Sequence, residues 1–152
     1  MANPYSPPTP ELQTESRFTL YSPGQMAWAT FLGAPVAGCI LLALNYARLG
    51  NSGASRISIG MGVVATCLLL GISFFLPDEA PSSILAIAYT FAVYQLAKSL
   101  QGSDFQHHLS EGGTRGSSWI ATGVGILCML AIFVAVIFVV LALPEEWLGE
   151  DF

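Results

Sequence analysis

The sequence predicts an all-α integral membrane protein of four spanning helices, arranged as two out-in-out helical hairpins with both termini extracytoplasmic. Three observations predict it. Only 10% of the 152 residues are charged and 53% are hydrophobic, whereas soluble domains carry about 25% charged residues. Four apolar stretches stand out, at about 26–46, 57–76, 82–100 and 119–143, and a helix needs ~20 mostly apolar residues to cross a ~30 Å hydrocarbon core. The basic residues are unevenly placed between those stretches, which sets an orientation.

Residues 1–22 read as a polar, Pro/Ser/Thr-rich and disordered tail. The tail has neither a basic region nor an apolar core of signal-peptide type, so the first apolar stretch is expected to stay in the membrane. Ser22-Pro23 reads as an N-cap followed by proline at the first helical position. Within the first stretch, Thr30/Ala34/Gly38 and Gly33/Ala37 lie at small-xxx-small spacing on adjoining strips of one face. Lipid gives no hydrophobic drive between helices, so close backbone approach must supply van der Waals contact. This face therefore predicts a tight neighbour. Pro35 lacks an N–H and predicts a kink near mid-bilayer, acting as a static packing device or, alternatively, as a hinge.

The second stretch carries Ser58/Gly62/Thr66 at the same spacing, and the fourth carries Ala121/Gly125 before a long Leu/Ile/Val/Phe run. The third has 14 uncharged residues, Ile84 to Ala97, and spans only if Lys98 snorkels to the interface. A re-entrant or surface helix is the alternative there. Pro77 and Pro144 stop the second and fourth helices, Ser117-Ser118 caps the fourth, and Trp28, Trp119, Trp147, Tyr21 and Tyr46 fall near predicted interfaces. Residues 23–143 thus form one transmembrane domain, followed by an acidic tail, 144–152.

Arg48, Arg56, Lys98 and Arg115 flank the first and third linkers, against Arg17 alone on the other side. Four against one places those linkers in the cytoplasm. The two helix pairs share a basic end to the first helix and a Gly-x-Gly opening to the second (Gly60 and Gly62, Gly123 and Gly125). That pattern suits a parallel repeat or simply any membrane hairpin.

The phrase YSPGQ-x-A-x-A-T-F-L-G-x-P, the LNYARLG that closes the same stretch and the HLSEGG-x-x-x-S linker resemble a group of small, uncharacterised bacterial multi-pass membrane proteins. The resemblance spans most of residues 21–125 and implies a bacterial inner membrane. It supplies no catalytic residue.

Little chemistry is visible. Cys39, Cys67 and Cys128 each sit in an apolar run and read as small packing residues. Gln25 and Asn45 lie at opposite ends of the first stretch. Tyr94, Gln95 and Lys98 form a candidate polar face on the third, for interfacial anchoring or for lining a cavity. The absence of any acid within a span argues against a carboxylate proton relay. His107-His108 offers no standard metal spacing, Ser110 and Ser117 lack an orienting framework for a triad, and no phosphate-binding glycine motif occurs. No metal or cofactor is expected, and the net charge of −5 excludes a nucleic-acid footprint. The expected partners are the lipid bilayer and either a second copy or a larger membrane protein. The expected role is non-enzymatic, as a small helix-packing or accessory subunit. The alternative is an oligomeric small transporter or channel component.

Overall fold

The computed structural model describes residues 18–73 and 82–142. Among the described residues, four helices are long and apolar enough to cross a membrane. They are α1 (Pro23–Arg48), α2 (Ser52–Ser73), α3 (Ser82–Ser110) and α4 (Ser118–Ala142), with two short strands, β1 (Thr19–Leu20) and β2 (Thr114–Arg115). The strands pair in parallel, Thr19 opposite Thr114 and Leu20 opposite Arg115.

The start of α1 follows from local chemistry. Ser22 is extended (φ −75°, ψ 156°) and closes a capping box with Gln25. The Gln25 amide donates to Ser22 Oγ at 3.3 Å, and the Ser22 amide donates to Gln25 Oε1 at 2.9 Å. Pro23 sits in the first turn, where its missing N–H costs nothing.

The main departure from expectation lies inside α1. Gly33 (φ −124°, ψ 30°) and Ala34 (φ 59°, ψ 179°) are not helical, and around them the chain reverses. The Tyr21 amide donates to Asn45 Oδ1 at 2.8 Å across 24 positions of sequence. In a continuous helix those residues would stand ~36 Å apart. The segment is therefore two antiparallel arms, 23–32 and 35–48, joined at Gly33-Ala34. The expected single span with a kink at Pro35 is corrected to a helical hairpin. Pro35 removes one helical hydrogen bond, as anticipated, but the angle is set by what the arms pack against.

This reversal changes the relation of the ends. Phe18–Ser22 lies beside the end of the second arm, the end of α3 and the start of α4. From there α4 runs away to Ala142. The described residues therefore begin at one end of the bundle and finish at the other. Residues 18–22, assigned by sequence to a disordered tail, are packed: Leu20, Tyr21 and Ser22 are buried.

The other bounds shift less. Helix α2 starts at Ser52, because Asn51 Oδ1 accepts from the Ala54 amide at 3.0 Å and caps it earlier than the apolar run begins. Helix α3 continues to Ser110 rather than ending near Leu100. Its last turns put Gln101, Phe105 and His108 on one buried strip, so a sequence expected to be a linker is helical because it has an amphipathic face. The residues around Pro77, Pro144 and Trp147 lie outside the described segments.

The hairpin is the centre of the molecule. It packs against α2, α3 and α4, whereas those three make at most marginal contact with one another. The buried apolar cluster accordingly centres on Met26, Ala29, Ala37, Leu41 and Leu42 of the hairpin, joined by Tyr21 just before it, Ala97 from α3 and Ala121 from α4.

Candidate functional site

Small residues allow two arms and two flanking helices to meet at one level. Thr30, Gly33, Ala37 and Gly38 are all buried, and Ala34 is half-buried. A Cβ on Gly38 would run into Thr30 Oγ1 and stand 3.0 Å from the Met26 carbonyl oxygen, so this glycine sets the distance between the arms. Thr30 turns its hydroxyl to the Met26 carbonyl, 2.8 Å away. The tight neighbour predicted for this face is thus the other half of the same segment.

Helix α2 docks on the second arm through Ser58, Gly62 and Thr66, its only buried residues. A Cβ on Gly62 would come within 2.6 Å of Cys39 Cβ. Helix α4 docks on the first arm through Ala121 and Gly125, where a Cβ on Gly125 would meet Leu32 Cβ at 3.0 Å and the Ala29 carbonyl at 3.1 Å. Trp28 Nε1 donates to Thr122 Oγ1 at 3.1 Å and fixes the same interface.

The hairpin tip has specific polar chemistry. Pro35 has no amide to offer, and the next amide, on Val36, begins the second arm and has no partner in its own helix. It donates to Thr66 Oγ1 at 3.1 Å, while the Thr66 hydroxyl donates to its own Gly62 carbonyl at 2.8 Å. A hydroxyl from α2 therefore caps the second arm. The first arm is about 15 Å long, which is half the thickness of a bilayer core. Ala34 pays for the turn with a positive φ at extended ψ, a combination essentially confined to glycine.

The open end of the hairpin carries a polar clasp. Asn45 accepts from the Tyr21 amide and donates through Nδ2 to the Tyr21 carbonyl at 2.8 Å and to Gln101 Oε1 at 3.0 Å. Gln101 Nε2 donates to the Leu42 carbonyl at 3.4 Å. Gln25 Nε2 donates to the Gly116 carbonyl at 2.7 Å and to Ser118 Oγ at 3.1 Å. The Gly116 amide donates to the Leu20 carbonyl at 2.8 Å. Arg48 donates to the carbonyl and hydroxyl of Thr19 and lies 5.2 Å from the centre of the Tyr21 ring. Asn45 and Gln101 are each 1% exposed.

The polar face proposed for α3 is not where its buried polarity lies. Gln95 and Lys98 are exposed and Tyr94 is half-buried. The buried amide is Gln101, one turn beyond Lys98, which sequence reasoning had assigned to a linker. The signal for it was the 101/105/108 spacing. Gln25 and Asn45, read as opposite ends of a span, belong to the same end of the bundle. His107 is exposed and pairs with Glu111 at 3.3 Å, whereas His108 is buried and stacked on Phe18 at 4.9 Å. The adjacent histidines thus point apart. All three cysteines are free.

What this arrangement defines is a multi-pass helical membrane protein built around an internal helical hairpin. Comparison with protein-family models, with curated proteins and with solved structures finds no match.

Proposed function

We propose that the chain is a non-enzymatic component of a small transporter or channel in a bacterial cytoplasmic membrane, with the hairpin as its working element. The observation that carries this reading is the break at Gly33-Ala34. Irregular backbone survives at membrane depth only inside protein or beside a water-filled cavity. Broken helices near the midplane are also how transporters present backbone groups to what they carry. In this reading α2, α3 and α4 cross the bilayer and the hairpin re-enters from the cytoplasmic face. The charge pattern supports it. Arg48, Arg56, Lys98 and Arg115 belong to the end with the clasp. Among the described residues every Lys and Arg then falls on one side, as the positive-inside rule expects of the cytoplasmic face.

The test is solute and ion flux in proteoliposomes across a panel of small cations, anions and neutral solutes, with folded Thr66→Val as the control. Flux in the wild type that is altered by Thr66→Val supports the reading. No flux with any member of the panel overturns it.

A second reading, as an accessory subunit, rests on a different observation. Beyond the hairpin tip, α4 from Met129 onward is almost wholly exposed. Co-purification from native membranes with a larger membrane protein at fixed stoichiometry, together with no flux from the chain alone, would favour it.

A further inference from the structure

We propose that the space beyond the hairpin tip, between α2, α3 and α4, is a slot for one acyl chain of a membrane lipid. The proposal rests on the hairpin lying within the bilayer and not on transport, because its test reads bound lipid rather than flux.

The walls of the slot continue the faces that hold the hairpin. On α4, Ala121, Gly125 and Cys128 pack against it. Steps of three and four carry that strip on to Ile132, Val136 and Val139. Ile132 is half-buried, and Val136 and Val139 are 37% and 57% exposed. Helix α2 repeats the pattern. Ser58, Gly62 and Thr66 are buried, Leu69 is half-buried, and Leu70 and Ser73 are exposed. On α3, Ala97 is buried, Thr90 and Ala86 are half-buried, and Ser83 is exposed. Each face loses its cover near the level of the tip, where Thr66 caps Val36 and Gly33 meets Gly125. The hairpin holds the three helices apart, and they make at most marginal contact with one another.

Chemistry and depth together identify the occupant. The walls offer a guest mostly hydrocarbon. The Ser73 hydroxyl is turned back to the Leu69 carbonyl, and the Thr90 hydroxyl oxygen is itself buried and does not line the slot. Between Ile84 and Tyr89 the tyrosine is the only polar side chain. A hydrophilic guest would lose its hydration there for little in return. The depth separates the apolar guests. The first arm takes up about half of a ~30 Å hydrocarbon core, so the slot is one leaflet deep and floored by the tip. A spanning helix from a second copy would run into that floor. The half-length element of this chain is the hairpin, which is already buried in its own bundle. An acyl chain is flexible, apolar along its length, one leaflet long and ends at the midplane. It fits the slot with the same alkyl contacts that the hairpin makes below.

The test uses the full chain in nanodiscs of dioleoyl phosphatidylcholine, extracted into a mild detergent and weighed intact by native mass spectrometry. The wild type should keep about one phosphatidylcholine per chain through washing that strips the surrounding lipid. Val136→Trp and Val139→Trp each place an indole in the slot, and each should lower the retained lipid several-fold. Val134 is exposed on the opposite side of α4, so Val134→Trp should retain lipid as the wild type does. A wild-type chain that keeps no lipid overturns the proposal whatever the variants do. Equal retention in all three variants overturns it too. So does a lipid-free homodimer that Val136→Trp dissociates, which would put a second copy against these faces.

Discussion

At the scale of single residues, the molecule depends on atoms that meet because a side chain is missing or turned aside. Gly38 is the sharpest case. Its added methyl would press on Thr30 and on the Met26 carbonyl, and overpacking of this kind costs about 1–3 kcal/mol. Gly38→Ala should lower the thermal midpoint in detergent, and Gly38→Leu should abolish the folded state. Thr66→Val keeps the shape and removes the hydroxyl that caps Val36. A buried donor left without a partner costs about 1–3 kcal/mol, so the variant should be clearly destabilised while Thr66→Ser stays close to wild type. Ala34 carries the opposite expectation. Its backbone angles suit glycine, and strain of this type is worth of order 1–3 kcal/mol. Ala34→Gly should therefore raise the thermal midpoint, and a fall would show that the turn is not strained. Glu111→Ala removes only an exposed partner of His107, and such pairs contribute ~0–1 kcal/mol. No change beyond about 0.5 kcal/mol is expected from it.

At the scale of elements, apolar length and punctuation made the helices legible, and distance in sequence hid the hairpin. Ser22, Pro23 and Gln25 announce the start of α1 because capping is local. Pro35 announces an interruption for the same reason. The angle of that interruption is decided elsewhere. Thr66 caps the tip from 30 positions away, and Gly116 binds Gln25 from 91 positions away. Neither is visible from the first apolar stretch, which alone is indistinguishable from a kinked span. The small-residue spacings were also legible as packing faces, but not their partners. Thr30, Gly33, Ala34, Ala37 and Gly38 predicted a tight neighbour, and that neighbour is largely the other arm of the same segment. The end of α3 was misplaced because apolarity stops near Leu100 while the helix persists on the strength of one buried strip. Asn45 tests the element directly. With its amide lost in Asn45→Leu, the Tyr21 backbone and Gln101 both lose a buried partner, and residues 18–22 should exchange amide hydrogens faster while the Gly62 and Gly125 interfaces remain protected.

For the whole molecule, the hairpin alters parity. In the proposed re-entrant reading, three crossings and one re-entrant segment would place the two ends of the chain on opposite sides of the membrane, whereas four crossings would place them together. Impermeant labelling of single cysteines decides this. Residue 5 should be reached only from the side that reaches Gly53, and residue 150 only from the other. If both terminal sites label from the same side, the first segment crosses. A tally of basic residues is only as good as the number of crossings assumed, and that number turned on a reversal of chain direction at two residues.

The capping of the hairpin tip by Thr66 and the docking of Gly33 on Gly125 also bear on biosynthesis. Residues 23–48 leave the ribosome before either partner exists. At that moment the segment is a 26-residue apolar stretch with its Val36 amide unclaimed and no glycine surface to lie against. Its native contacts can form only after α2 and α4 have been made, so the first of the four helices to be made is the last to be settled. A chain truncated after residue 51 should accordingly insert as a simple spanning helix, detectable by a reporter fused to its end appearing on the side opposite its N-terminus. The same reporter after residue 51 in an otherwise full-length chain should return to the side from which it started.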